Sequence, residues 1–422
     1  MFHFAYDARD VLRAEEVDLA DIAERAGTPT YVYSRATLER HYRVFDEAFA
    51  GHPHLICYSV KANTSRAVLR LLGSLGSGAD IVSGGELERV IAAGIPADRV
   101  VFSGVGKTAA EMRRALEVGI RAFNVESEPE LETLDLVAAA LGVVAPVSLR
   151  VNPDVDPKTH PYIATGLAES KFGIPIAEAP RLAERARALE SVRLVGLDCH
   201  IGSQLTSIEP LLEALGSILA LADVLKHAGH PIHDLDLGGG LGIPYSDEVP
   251  PLPAELGARV RARLRGRDEL LILEPGRVIV GNAGILLTRL LYVKRTPGKT
   301  FYVVDAAMND LVRPALYGAH HEIWPARRRP GNPRVVADVV GPICESSDVL
   351  AAGRELEEAQ PGDLLAVMSA GAYGFSMAST YNSRPLAAEV MVSGDRFEVI
   401  RCRQTIGELM GTESVPDFIT EG

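Results

Sequence analysis

The residues best placed to do chemistry stand where apolar runs end. Lys61 follows the run in YSVKAN and His200 the run in LDCHIGSQ. Gly238, Gly239 and Gly240 follow Asp236-Leu237, and Glu274 begins the turn Glu274-Pro275-Gly276-Arg277. A lysine amine condenses with a carbonyl to a Schiff base. A carboxylate facing a pyridinium nitrogen keeps it protonated, so that the ring serves as an electron sink. Glycines let backbone N–H groups approach a phosphate with no Cβ in the way. Lys61, Glu274 and the glycines therefore suit a phosphorylated aldehyde cofactor. Position alone supports equally a solvated strand-end lysine and an ion-paired glutamate.

Those residues converge only if the elements carrying them are arranged in a ring. Eight short apolar or β-branched runs stand between residues 54 and 273: His54–Val60, Ala79–Val82, Val100–Ser103, Ala122–Val125, Val147–Val151, Leu194–Cys199, Ile232–Leu237 and Leu270–Leu273. Helical patterns separate them. Ser83-x-x-Glu86, Thr108-x-x-Glu111 and Ser127-x-x-Glu130 fit the capping box, and Gly94 and Gly142 close the helices that two of them open. Strands alternating with helices imply parallel β-α units with right-handed crossovers. A doubly wound open sheet competes, but eight consecutive units favour a (β/α)8 TIM barrel of ~250 residues. Its active site would lie at the C-terminal strand ends, where Lys61, Asp80, Asn124, Arg150, Asn152, His200 and Glu274 fall. Both Gly-rich turns follow strands seven and eight, a frequent phosphate site in barrels.

After about Gly284 the pattern changes to GILLTRLLYVKR, KTFYVVDA, RVVADVVG, DLLAVMSA, LAAEVMV and RFEVIRC, with turns such as QPGD and SGDR between them. A second, mainly antiparallel β-domain is expected, with segment 318–333 as a loop. The 422 residues agree with two or three domains. With 47% apolar and 23% charged residues the chain is an ordinary globular one. Its 43 basic and 56 acidic residues give a net charge of −13, a poor match to nucleic acid or an anionic membrane. An anionic substrate must then be drawn in by individually placed arginines. No signal peptide is visible at the N-terminus, and GILLTRLLYV is broken by Arg289 and too short to span a bilayer. The cytoplasm is the expected location. Cys57, Cys199, Cys344 and Cys402 are too scattered for a zinc motif or a disulfide framework, and no metal is expected.

Three motifs point elsewhere. Gly106-Lys107-Thr108 resembles the end of a phosphate loop, but position 101 is Val where that loop needs glycine, so a capped helix start is the better reading. Gly238–Gly242 resembles a dinucleotide fingerprint, yet it follows the seventh strand and Ile243 stands where a glycine belongs. His320-His321-Glu322 lacks a further spaced ligand and reads as a solvated loop.

In this order, YSVKAN, ADIVSGGEL, HIGSQ, DLGGGLGIPY and EPGR resemble the fold-type III pyridoxal-phosphate decarboxylases. DLVRPALYGAHH, GPICESSDVL and GAYGFSMASTYNSRP are similar to the branch acting on diaminopimelate, and the match runs from about residue 27 to 405. The resemblance implies pyridoxal 5'-phosphate on Lys61, with Asp80, His200 and Ser203 around it and His200 stacked on its ring. It implies that Gly239, Gly240, Gly276, Arg277 and Tyr373 hold the phosphate and that Glu274 bonds the ring nitrogen. Arg277, Arg313, Tyr317 and Tyr373 would hold the substrate. Cys344 would be the proton donor and Glu345 would bind the distal amino group, both supplied across a homodimer interface. The implied reaction is decarboxylation of meso-2,6-diaminopimelate to L-lysine, the last step of lysine biosynthesis. The rivals are a decarboxylase of ornithine, arginine, D-ornithine or a carrier-linked amino acid, and a non-catalytic regulatory homologue. The expected domains are 27–283 for the barrel and 1–26 with 284–422 for the β-domain. Segment 153–175 is long enough to be a lid.

Overall fold

The computed structural model describes residues 2–156 and 171–420; the middle of the candidate lid, 157–170, lies outside the described residues. The chain forms two compact units, residues 38–281 and residues 1–37 with 282–422.

The first unit is a closed parallel barrel. His54–Ser59, Gly78–Ile81, Val100–Phe102, Ala122–Val125, Ala145–Asn152, Val192–Asp198, Asp234–Asp236 and Leu270–Leu273 pair in chain order, and the eighth closes on the first with Leu271 opposite His54. Each corresponds to a run read from the sequence. Most residues of these strands are buried, as expected where both faces are covered, and the polar ones stand chiefly toward the strand ends, as Asp198 and Asn152 do. The helix starts are local. Thr108 and Glu111 form a reciprocal capping box. Ser83 and Ser127 accept N–H bonds from Glu86 and Glu130, but those glutamates reach one residue further back, to the N–H groups of Val82 and Glu126. Each thus ties the end of a strand to the start of the next helix. Gly94 and Gly142 end their helices at φ 80° and 69°, a left-handed cap that favours glycine.

The boundary between units differs from the sequence expectation at residue 27. Thr30–Ser34 is a strand of the β unit, antiparallel to Gly284–Thr296 and parallel to Ala388–Ser393. All five of its residues are buried, so it reads like a barrel strand, and nothing local says which sheet it joins. The main sheet of this unit runs in the order Val349–Glu357, Arg334–Val340, Lys299–Val304, Gly284–Thr296, Thr30–Ser34, Ala388–Ser393, Arg396–Arg401. Most of its pairings are antiparallel. Val349–Glu357 carries AAGRELE and was hidden by its charged residues. Segment 318–333 is not loop throughout: Ile323–Pro325 pairs antiparallel with Leu364–Val367. At the N-terminus Phe4–Tyr6, Leu12–Ala14 and Val17–Asp18 form a small antiparallel sheet. Phe4, Leu12 and Leu19 share a core with Val32, Ile285 and Val390.

Candidate active site

Within the barrel unit, the strand ends gather the residues singled out from the sequence. Lys61 lies in a single 3-10 turn, Val60–Ala62, directly after the first strand. Its Nζ is 3.0 Å from Oδ2 of Asp80, which also accepts a 2.8 Å bond from the Ser59 hydroxyl. Asp80 is fully buried, whereas the Lys61 side chain is 36% exposed, so the amine has an anchored partner and a route to solvent. His200 accepts the Gly239 N–H at Nδ1, 3.2 Å away, which leaves the proton of the neutral ring on Nε2. Desolvation, then Lys61 and Arg150, push His200 well below the usual histidine range. A neutral flat ring is what stacking on a heteroaromatic group asks of it.

Beneath these lies an excess of buried acid. Carboxylate oxygens of Asp198, Asp236 and Glu274 lie within 4.8 Å of one another, and all three residues are buried. Burial raises Asp236 to about 7, against the lowering effect of a 2.9 Å bond from the Gly238 N–H. Glu274 is raised by burial and then by Asp236 and Asp80. Asp198 is raised by burial and Asp236 and held back by Arg150, which lies 3.6 Å away. Both Asp198 oxygens and Oδ2 of Asp236 lack a hydrogen-bond partner among the described residues. Such a cluster favours a cation held against Glu274 over further negative charge. Arg150 also pairs with Glu126 at 3.1 Å, so it stands between two buried carboxylates.

The glycine turns are shaped by backbone contact. A Cβ on Gly239 would lie 2.2 Å from the carbonyl oxygen of Glu274, and one on Gly240 would lie 2.5 Å from that of Gly202. Leu205 donates its N–H to the Gly240 carbonyl and accepts that of Gly242, so the turns after strands six and seven are zipped together. Gly276 leaves no slack either, with Ala62 Cβ 3.0 Å from where its own would stand. The turns carrying Lys61, His200, the glycines and Glu274 are thus packed on one another's main chain. Arg277 is buried and donates to the Tyr245 hydroxyl at 2.7 Å and the Ser203 hydroxyl at 3.0 Å. Tyr245 belongs to GIPY, and no local signal marked it as Arg277's partner. Lys107 is no phosphate ligand. It is buried, donating to the Gly104 and Asn124 carbonyls and to Glu130 at 2.6 Å.

The remaining candidates belong to the β unit. Arg313 opens the helix Arg313–Tyr317 and is buried, while Tyr317 is half-buried. His321, expected in a solvated loop, is fully buried. Its Nε2 is 2.9 Å from Arg313 Nη1 and its Nδ1 is 2.8 Å from the Met368 carbonyl. His320 is half-buried, with its Nε2 2.6 Å from both Glu322 Oε1 and Arg354 Nη1. Cys344 and Glu345 lie in an exposed turn, whereas Cys57 and Cys199 are buried. Asn382 accepts the Cys344 N–H at 2.9 Å, and Glu345 accepts the hydroxyls of Ser347 and Tyr381 at 2.7 and 2.9 Å. Those two hydroxyls lower the Glu345 carboxyl below its ordinary range. Asp348 holds the base of the turn by accepting the Met308 and Ile343 N–H groups, both at 2.7 Å. Tyr373 stands at φ 55°, a backbone that non-glycine residues rarely adopt.

The sequence profile of the family described as "Pyridoxal-dependent decarboxylase, pyridoxal binding domain" matches residues 35–281, the barrel. That match defines the class. The diaminopimelate decarboxylase of Pseudomonas aeruginosa is 59% identical over 404 residues, covering 96% of this chain and 97% of its own. That of Vibrio cholerae is 55% identical over 416 residues, covering 98% and 99%. The solved structure of diaminopimelate decarboxylase from Helicobacter pylori, complexed with L-lysine, superposes with a TM-score of 0.90 at 42% identity over 93% of this chain and 98% of that one. The chain belongs to the diaminopimelate decarboxylase family of pyridoxal-dependent decarboxylases.

Proposed function

We propose that the protein converts meso-2,6-diaminopimelate to L-lysine and CO2 with pyridoxal 5'-phosphate as its cofactor. The observation that carries this reading is the barrel mouth itself: an amine anchored on a buried carboxylate, set among turns whose glycines admit no Cβ, above a buried acid cluster that Arg150 only partly balances. The buried orphan oxygens and the cradle fit a group that is cationic at its ring nitrogen and anionic at its phosphate. When bound, the cofactor withdraws the electrons freed as the C–CO2 bond breaks. Glu274 holds the ring-nitrogen end, His200 packs on the ring face, and the N–H groups of Gly239, Gly240, Gly276 and Arg277 take the phosphate with help from Tyr373. Lys61 supplies the amine, and Asp80 orients it. Ser203 and Tyr245 fix Arg277, which with Arg313 and Tyr317 receives substrate carboxylates. Arginine suits this task because its planar fork matches a carboxylate.

The carbon that loses CO2 must gain a proton, and the Cys344 thiol is its donor. Glu345 receives the distal ammonium. Exposure of this turn in a single chain supports its delivery to a second copy, so a homodimer in the cytoplasm is part of the reading. Among the described residues no helix is long and apolar enough to cross a membrane. The relatives' names and the L-lysine held by the Helicobacter pylori enzyme support the substrate assignment. The test is CO2 release by the cofactor-loaded protein from meso-diaminopimelate, L- and D-ornithine and L-arginine. Release from diaminopimelate with matching L-lysine is expected. Release from one of the others and none from diaminopimelate would overturn the assignment.

A further inference from the structure

We propose that His321 is a positioning residue that sets the guanidinium of Arg313 for a substrate carboxylate. The inference rests on the reading above that Arg313 receives one.

The geometry determines the state of the ring. A main-chain carbonyl only accepts, so the 2.8 Å contact to the Met368 oxygen requires the proton on Nδ1. A guanidinium only donates, so the 2.9 Å contact to Arg313 Nη1 requires a lone pair on Nε2. Both partners are satisfied by one neutral tautomer. Protonating Nε2 would set N–H against N–H. The backbone around the ring is held by the same sheet edge: Met368 donates its N–H to the Glu322 carbonyl at 2.8 Å, and Ile323 pairs with Val367. His321 is fully buried and Arg313 is 5% exposed, so water does not substitute freely for either contact. A carboxylate in the place of His321 would orient the arginine but cancel its charge. An imidazole orients it without adding a negative charge. This matters in a chain of net charge −13, where attraction of a dicarboxylate depends on single arginines.

The test compares Arg313→Met, His321→Leu and the double variant as cofactor-loaded enzymes. His321→Leu is expected to raise KM for meso-diaminopimelate roughly 10- to 100-fold, as for a lost hydrogen bond to a charged group, with a much smaller change in kcat. The double variant should then match Arg313→Met alone, because the two residues act as one unit. If Arg313→Met leaves KM unchanged, the role given to Arg313 falls. If Arg313→Met raises KM and His321→Leu does not, or if the double variant is worse by the full product, His321 is not its positioning residue. Should His321→Leu fail to fold, His321→Gln and His321→Asn decide. The glutamine amide oxygen reaches the position of Nε2, whereas the asparagine side chain reaches only that of Nδ1. Near-normal KM is expected for Gln and a raised KM for Asn, and the opposite order would overturn the proposal.

Discussion

Gly239→Ala isolates what the glycine turns do. The added Cβ would stand 2.2 Å from the Glu274 carbonyl oxygen and 3.0 Å from its carbonyl carbon, whereas real Cβ contacts essentially never fall below 3.0 Å. Both obstacles are main chain, so no side chain can swing aside. The turns after strands seven and eight must part by roughly 1 Å, and overpacking of this kind costs about 1–3 kcal/mol. For a unit of this size each kcal/mol lowers Tm by about 2–4 °C, so a drop of about 2–12 °C is expected for the cofactor-free protein. The same displacement moves the proposed phosphate N–H groups, and misplacement by ~1 Å can reduce turnover ~100-fold. Gly106→Ala is the control, since nothing lies within 4 Å of its Cβ position. Thermal unfolding of both cofactor-free variants and their titration with pyridoxal phosphate would decide. Equal Tm and equal cofactor affinity in the two variants would refute the close-approach argument.

Two further outcomes concern buried charge. Asp236 has a pKa of about 7 in the fold, raised by burial, and the ordinary carboxylate value when unfolded. Between those values the native state holds a proton that the unfolded chain has released, so its contribution to stability is lost as pH rises through about 7. Cofactor-free Asp236→Asn should therefore show a flatter decline in urea midpoint between about pH 5 and about pH 7 than the parent, by an energy on the order of 1.4 kcal/mol for each pH step of one across that window; identical declines would contradict the burial effect. Lys107→Met should destabilise by about 3–5 kcal/mol by leaving Glu130 buried without its cation, and Lys107→Met/Glu130→Gln should recover part of that loss. Denaturant unfolding measures both, and a loss under about 1 kcal/mol in the single variant would show that Lys107 is not the structural partner of Glu130.

Much of the barrel was legible because its signals are local. Eight largely buried strands leave short apolar or β-branched runs at a regular spacing, and Ser83, Thr108 and Ser127 mark helix starts through contacts no more than four residues away. Lys61, His200 and Glu274 could be placed for the same reason, since a strand end is visible in one dimension. What failed depends on distant pairing. Thr30–Ser34 joins strands more than 250 residues further on, and its composition cannot say so. Ile323–Pro325 is held by Leu364–Val367 inside a Pro- and Gly-rich stretch that reads as loop. His321 was missed for that reason: its burial follows from this short strand, and its partners are a helix-opening arginine and a carbonyl 47 residues away. Tyr245 is likewise defined by Arg277, 32 residues downstream.

The most direct measurement is the identity of the lysine that carries the cofactor. Loading the protein with pyridoxal phosphate, reducing it with borohydride and mapping the tagged peptide by mass spectrometry should place the label on Lys61, with Lys61→Ala unlabelled and lacking the visible absorbance of the loaded protein. Label on another lysine, or undiminished labelling and absorbance in Lys61→Ala, would contradict the site at its centre.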